Sequence, residues 1–172
     1  MQNLIIRLLE PGDVQQLAEA FVLLGWDKPA SQYVGYLREQ ACGLREVWVA
    51  FCENTFAGYV TICWHSNYAP FAEAHIAEIV DLNVLPAFRR RGIGTRLMQM
   101  AEERAVMVSP VVGIGVGMTA DYGSAQRLYV RRGYLPDGRG LISAGRPVVY
   151  GNMVTVDDAL CLYFTKKLFG SM

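Results

Sequence analysis

The stretch from His75 to Met100, HIAEIVDLNVLPAFRRRGIGTRLMQM, changes its period midway, and few folds accommodate such a change. His75–Val84 is rich in β-formers and is closed by Pro86, which has no N–H to give to a strand ladder. Beyond Gly92 and Gly94, Leu97, Met98, Ala101, Ala105 and Val108 recur at helical spacing. The junction therefore reads as strand, turn, helix. The first amides of such a helix have no partner within it and carry the positive end of its dipole. Glycine lets an anion approach the backbone, and Arg89, Arg90 and Arg91 add charge-assisted bonds. A pyrophosphate suits that geometry.

The flanking sequence alternates between the two periods. Leu4–Leu9 reads as a first strand, stopped by Pro11 and Gly12. Asp13 and Gln16 form a capping-box-like start to a helix carrying Val14, Leu17, Phe21 and Leu24 and ended by Gly25. A second helix is predicted from Ser31 to Gly43, with Val34, Leu37 and Ala41 on one face. Val47–Glu53 and Phe56–Trp64 form a hairpin around Asn54 and Thr55, and Ser66–Ala74 reads as a loop. After Pro110 comes a short apolar strand whose GIGVG run, 113–117, predicts tight packing. Asp121 is placed to cap a helix with Ala125, Leu128 and Tyr129 on one face and Gly133 at its end. Arg146–Val156 and Leu160–Leu168, separated by Asp157 and Asp158, read as a final antiparallel pair. Strands and helices interleave without repeat or linker, so residues 1–172 are expected to form a single α/β domain.

Bulk properties narrow the function. A chain of 172 residues buries roughly 70% of its unfolded surface and needs no covalent staples. Sixteen basic residues balance sixteen acidic ones, so no long-range field draws in polyanions. Nucleic-acid binding would call for further basic residues among exposed aromatics, and only Arg131–Arg132 comes near. Cys42, Cys52, Cys63 and Cys161 are widely spaced within apolar runs and read as reduced core thiols. His65 and His75 lack a partner at ligand spacing, so no metal is expected. No apolar run approaches the ~20 residues of a membrane span, and the N-terminus lacks a signal-peptide pattern; a cytoplasmic protein without membrane partners is expected.

The arginine-glycine turn lacks the G-K-[ST] ending of a Walker loop and the third glycine of a dinucleotide fingerprint. Arg89, Gly92 and Gly94 match [QR]-x-x-G-x-[GA], with Val84 and Pro86 upstream, and Ala125, Tyr129, Gly133 and Tyr134 match A-x-x-x-Y-x-x-x-G-[FY]. Together these motifs resemble the GNAT superfamily of N-acyltransferases, and the order of elements from residue 4 to 168 agrees. The resemblance implies a single-domain GNAT-like α/β fold: a mixed central sheet of about seven strands, splayed between two parallel strands, flanked by about four helices. It implies acetyl-CoA as co-substrate, its pantetheine arm on the backbone of Leu82, Asn83 and Val84, added like a strand. The diphosphate would lie on the amides of Arg91, Gly92, Ile93, Gly94 and Thr95, beside Arg89 and Arg90. Many members carry asparagine where this chain has Tyr122, so Ser124 or a backbone group is expected to replace it.

Acyl transfer from a thioester to an amine needs a base, an oxyanion site and an acid for the thiolate. By the resemblance Tyr129 is the acid. A phenol of pKa ~10 can donate to a thiolate whose conjugate acid lies near ~8.5. Glu78, eleven residues before Arg89, is the first candidate base; Asp81 and a water chain remain alternatives. Backbone N–H groups near Leu82–Val84 would hold the oxyanion. Trp26, Tyr33, Tyr36, Trp64 and Tyr68 are candidate walls of an amine pocket. The expected function is direct N-acetyl transfer in a ternary complex to a primary amine, either a small molecule or a peptide. The alternative is a CoA-binding regulatory module. A homodimer is a further expectation.

Overall fold

A computed structural model describes residues 3–168; Met1, Gln2 and residues 169–172, the ends of the expected 1–172 domain, lie outside the described residues. In chain order the elements are β1 (Leu4–Leu8), α1 (Val14–Val22), α2 (Ala30–Ala41), β2 (Arg45–Cys52), β3 (Thr55–Cys63), α3 (Ala69–Glu73), β4 (Ala77–Val84) and α4 (Ile93–Ala105). There follow β5 (Val111–Gly117), α5 (Gly123–Arg131), β6 (Leu135–Ser143), β7 (Arg146–Pro147) and β8 (Leu160–Lys167). The strands form one mixed open sheet in the order β1-β2-β3-β4-β5-β8-β6-β7. Two compact units divide the chain: Met1–Trp64 with Val80–Glu103, and His65–Ile79 with Arg104–Met172.

In the first unit β1, β2 and β3 are antiparallel neighbours. Glu53 and Asn54 turn the β2–β3 hairpin with φ 49° and 66°, the left-handed pair of a tight turn. Thr55 belongs to β3, so the turn lies one residue earlier than the sequence pattern suggests. Leu17 and Phe21 of α1 and Tyr33 of α2 close on Val47, Val49, Phe56 and Tyr59. The inward face of α2 is thus Tyr33 with Leu37; Val34 and Ala41 are exposed, because the large rings outcompete smaller side chains for the sheet. Asp13 does not pair with Gln16. Its carboxylate accepts two bonds from Arg7, each 2.7 Å, and one from the Glu10 N–H at 2.9 Å, before a short turn leads into α1.

The second unit holds the parallel pair. Ala77, Glu78 and Ile79 of β4 align with Val112, Gly113 and Ile114 of β5, and at Ile79 the strand passes into the first unit. Three sequence expectations fail here. Ser66–Ala74 contains α3, too short to display a period, with Phe71 buried. β8 pairs with β5 and β6 rather than with Arg146–Val156, of which only Arg146–Pro147 is a strand. Pro136, Gly138 and Gly140 disguise β6 as a turn; a register irregularity between Pro136 and Leu141, with φ 84° and 74° at the two glycines, absorbs them. Asp121 does not cap α5; Thr119 Oγ1 donates to its carboxylate, and the helix starts two residues later.

Counted among the described residues, eight strands and five helices stand where about seven and about four are expected, and the mixed α/β sheet with its parallel pair is as expected. On α4, Leu97, Met98, Ala101 and Ala105 are fully buried, while Val108 is exposed beyond the helix end. None of the four cysteines forms a disulfide, and only Cys52 is a core residue; Cys42 is exposed and Cys63 and Cys161 are half-buried. Among the described residues no helix is long and apolar enough to cross a membrane.

Candidate active site

In the first unit the site begins where β4 is bent. Asp81 has φ 58°, a left-handed conformation that costs a β-strand residue on the order of 1–3 kcal/mol unless its surroundings enforce it. They do. Oδ1 accepts from Lys28 Nζ at 3.0 Å; Oδ2 accepts from Tyr36 at 2.5 Å, Tyr59 at 3.0 Å and Gln32 Nε2 at 3.1 Å. Burial alone would push this carboxyl up, but Lys28 and the phenol donors outweigh it and hold the pKa below the ordinary carboxylate value. Burial and the Asp81 charge push the Tyr36 and Tyr59 phenols up, so both remain donors.

Past the bend, Asn83 Nδ2 donates to Asp81 O at 3.0 Å, and the Asn83–Val84 backbone presses onto Gly58, where a Cβ would stand 2.4 Å from Asn83 O. Arg89 Nε donates to Val84 O at 3.0 Å. Arg90 and Gly92 are both left-handed, with φ 59° and 79°, and a Cβ on Gly92 would meet nothing within 4 Å. Ile93, buried, seats the start of α4. Arg96 N–H donates to Gly92 O at 3.0 Å, so the amides of Ile93, Gly94 and Thr95 precede the helical ladder. Arg89, Arg90 and Arg91 are exposed around this turn.

The second unit contains Glu78, Ser124 and Tyr129. Glu78 is buried; its Oε2 accepts from Ser66 Oγ at 2.5 Å, and that hydroxyl accepts the Tyr68 N–H at 2.9 Å. Tyr68 stacks on Tyr163, centroids 3.7 Å apart, with Phe71 edge-on to both. The Tyr68 hydroxyl donates to Asp137 at 2.8 Å. These rings lie on the glycines of β5: a Cβ on Gly113 would stand 2.1 Å from Phe71, one on Gly115 2.9 Å from Tyr163, one on Gly117 2.6 Å from Tyr122. The GIGVG run is therefore a packing surface, as its sequence context predicts. Tyr122 donates to Asp158 at 3.0 Å, and burial first, then that bond, pushes its phenol up to about 12.

Tyr129 is buried beside Tyr134, centroids 5.9 Å apart, and burial keeps its phenol protonated well above the usual range. Ser124 is exposed in the first turn of α5. His65 and His75 are exposed, and no three potential metal ligands cluster among the described residues. Lys28, Gln32 and Ser66 escape sequence reasoning. Each is an isolated polar residue whose partner lies 12 to 53 positions away, so neither period nor motif marks it.

The model of the family described as "Acetyltransferase (GNAT) family" matches residues 14–134. Among solved structures, yncA from Salmonella typhimurium with its cofactor acetyl-CoA is 16% identical, covers 96% of this chain and 94% of its own, and superposes with TM-score 0.68. An acetyl transferase from the same organism, which modifies the N-terminal serine of ribosomal protein L7/L12, is 12% identical with TM-score 0.70 over 98% and 97% of the two chains. A spermidine N-acetyltransferase chimera from Vibrio cholerae and hSSAT is 13% identical, TM-score 0.68, over 95% of each. No curated protein sequence matches the chain.

Proposed function

Because the chain belongs to the acetyltransferase (GNAT) family, we propose that it moves the acetyl group of acetyl-CoA directly onto a primary amine in a ternary complex. The observation that carries this reading is the turn at Arg90 and Gly92, left-handed twice and open above Gly92, which leads from three exposed arginines into the first amides of α4. A diphosphate on the amides of Arg91–Thr95 would meet both the helix dipole and guanidinium charge. Leu82–Val84 would take the pantetheine arm by backbone bonds and offer an N–H to the oxyanion.

Glu78 is the proposed base. Asp81 already accepts four bonds and is stabilised as an anion, which makes it an anchor for the bend and a poor proton acceptor. In the proposed sequence Glu78 removes a proton from the ammonium. The free amine attacks the thioester carbonyl, the C–S bond breaks, the thiolate takes the Tyr129 proton, and the proton that the nitrogen then sheds restores the phenol. Burial keeps that phenol neutral, so its proton is in place when the thiolate forms, while the same shift makes it a weaker acid than a free phenol. Ser124 is the proposed substitute for the asparagine displaced by Tyr122. Similarity to enzymes that modify a peptide N-terminus and spermidine supports peptide and small amines as acceptor classes.

The test is CoA release from acetyl-CoA with a panel of amines, paired with calorimetric titration of CoA. Tyr129→Phe should lower kcat roughly 100-fold and leave CoA affinity intact, and Glu78→Gln should do the same for the pH-dependent limb of the rate profile. Full turnover in both variants would remove these residues from the chemistry; absence of CoA heat in the native protein would remove the reading.

A further inference from the structure

We infer that Trp26 and Lys28, in the segment joining α1 to α2, are positioning residues that brace the cofactor-holding backbone 81–89 at its two ends. This inference rests on the acetyl-CoA reading above. The segment is a wound turn: Trp26 N–H donates to Phe21 O and Lys28 N–H to Trp26 O, each at 3.0 Å. Trp26 stacks on the fully buried Phe21, centroids 5.6 Å apart, so its ring is seated on the core. Two cationic contacts connect this turn with the site. The Arg89 guanidinium lies 5.8 Å above the Trp26 ring while its Nε holds Val84 O. Lys28 Nζ lies 5.7 Å from the Tyr59 ring centre and 3.0 Å from Asp81.

The physical consequence follows from what each end would do alone. Asp81 is left-handed within a strand, a conformation that relaxes unless its carboxylate is held, and Lys28 is the only cation among its four donors. Arg89 is exposed, and a long exposed side chain samples many rotamers unless a surface retains it. The Trp26 ring is that surface. With both ends braced, Leu82, Asn83 and Val84 and the turn that follows keep one geometry before any ligand arrives. Binding then loses less conformational entropy. Neither residue needs to touch the cofactor for this effect.

The experiment is calorimetric titration of CoA into native protein, Trp26→Leu, Trp26→Phe and Lys28→Met, with KM for acetyl-CoA and for the amine measured on the same preparations. Trp26→Leu and Lys28→Met should each weaken CoA binding roughly three- to tenfold and raise KM for acetyl-CoA in proportion, with kcat at saturating acetyl-CoA preserved. Trp26→Phe keeps a ring beneath Arg89 and should recover most of the affinity. Native protein that binds CoA beside variants that bind it equally well overturns the inference and leaves the acetyl-CoA reading standing. Native protein that binds no CoA overturns that reading instead. A loss not rescued by phenylalanine, or a matching rise in the amine KM, overturns the positioning inference. Should Trp26→Leu not fold, Lys28→Met decides the question.

Discussion

Gly92 turns the backbone to φ 79° with open space where its Cβ would be, whereas a Cβ on Gly113 would stand 2.1 Å from the ring of Phe71. As text, RRRGIG and GIGVG are both glycine-rich, and a motif reader is tempted to treat them alike. At the 89–94 turn glycine serves conformation, since Arg90 and Gly92 are both left-handed on exposed backbone. On β5 it serves volume, since Phe71, Tyr163 and Tyr122 occupy the room that side chains there would fill. A substitution should therefore damage binding in one place and folding in the other.

The largest effect is expected at Gly113→Ala, which overpacks β5 and should cost about 2–3 kcal/mol in denaturant unfolding, with a corresponding fall in Tm. Adding Phe71→Leu should return part of that stability; no recovery would show that the loss is not steric. Next comes Asp81→Asn, expected to cost on the order of 2 kcal/mol at neutral pH, since three neutral donors and Lys28 lose their anion. The folded pKa of Asp81 is depressed, so its contribution is complete above the unfolded value of about 3.9 and disappears as pH falls through the folded one. Unfolding curves of the native protein and Asp81→Asn should therefore converge in acid; a gap that persists at low pH would break the electrostatic account.

Gly92→Val sharpens the contrast from the other side. It should cost only about 1–2 kcal/mol of stability, because a β-branched residue resists φ 79°, yet reduce CoA affinity by roughly tenfold or more. Equal CoA heat in this variant would separate the turn from the cofactor. The smallest effect belongs to Tyr122→Phe, which keeps the ring on Gly117 and removes the bond to Asp158, about 0.5–1 kcal/mol by thermal unfolding. A larger loss would show that the hydroxyl, rather than the ring, is what this position contributes.

Legibility in the sequence followed the range of the physics involved. The strand-turn-helix junction at 84–93, the β2–β3 hairpin to within one residue of its turn, the buried stripe Leu97, Met98, Ala101 and Ala105, and the packing role of GIGVG all rest on residues a few positions apart, where period and φ preference decide. β6 was hidden because Pro136, Gly138 and Gly140 carry turn preferences that pairing with β8 overrides. The run Val148–Val156 carries strand preferences that go unused beyond one backbone bond from Val148 N–H to Leu141 O: among the described residues it forms no strand, and Val149, Tyr150, Met153 and Val156 are exposed. A strand exists only when another strand supplies its bonds, and composition cannot say which run will find one.

The same division applies to the site. By itself the sequence determined that a glycine-flanked helix start follows a β-strand, and that Tyr129 sits on the inward side of the next helix, because local backbone chemistry and the 3.6-residue period are written into neighbouring positions. Only the tertiary structure decided that Asp81 would be an anchored anion held by Lys28 from 53 residues away, while Glu78 meets Ser66. The two carboxylates stand three residues apart on one strand and read alike as letters. What each one bonds to is set by the donors that packing brings to it, and those are properties of the folded surroundings rather than of the chain.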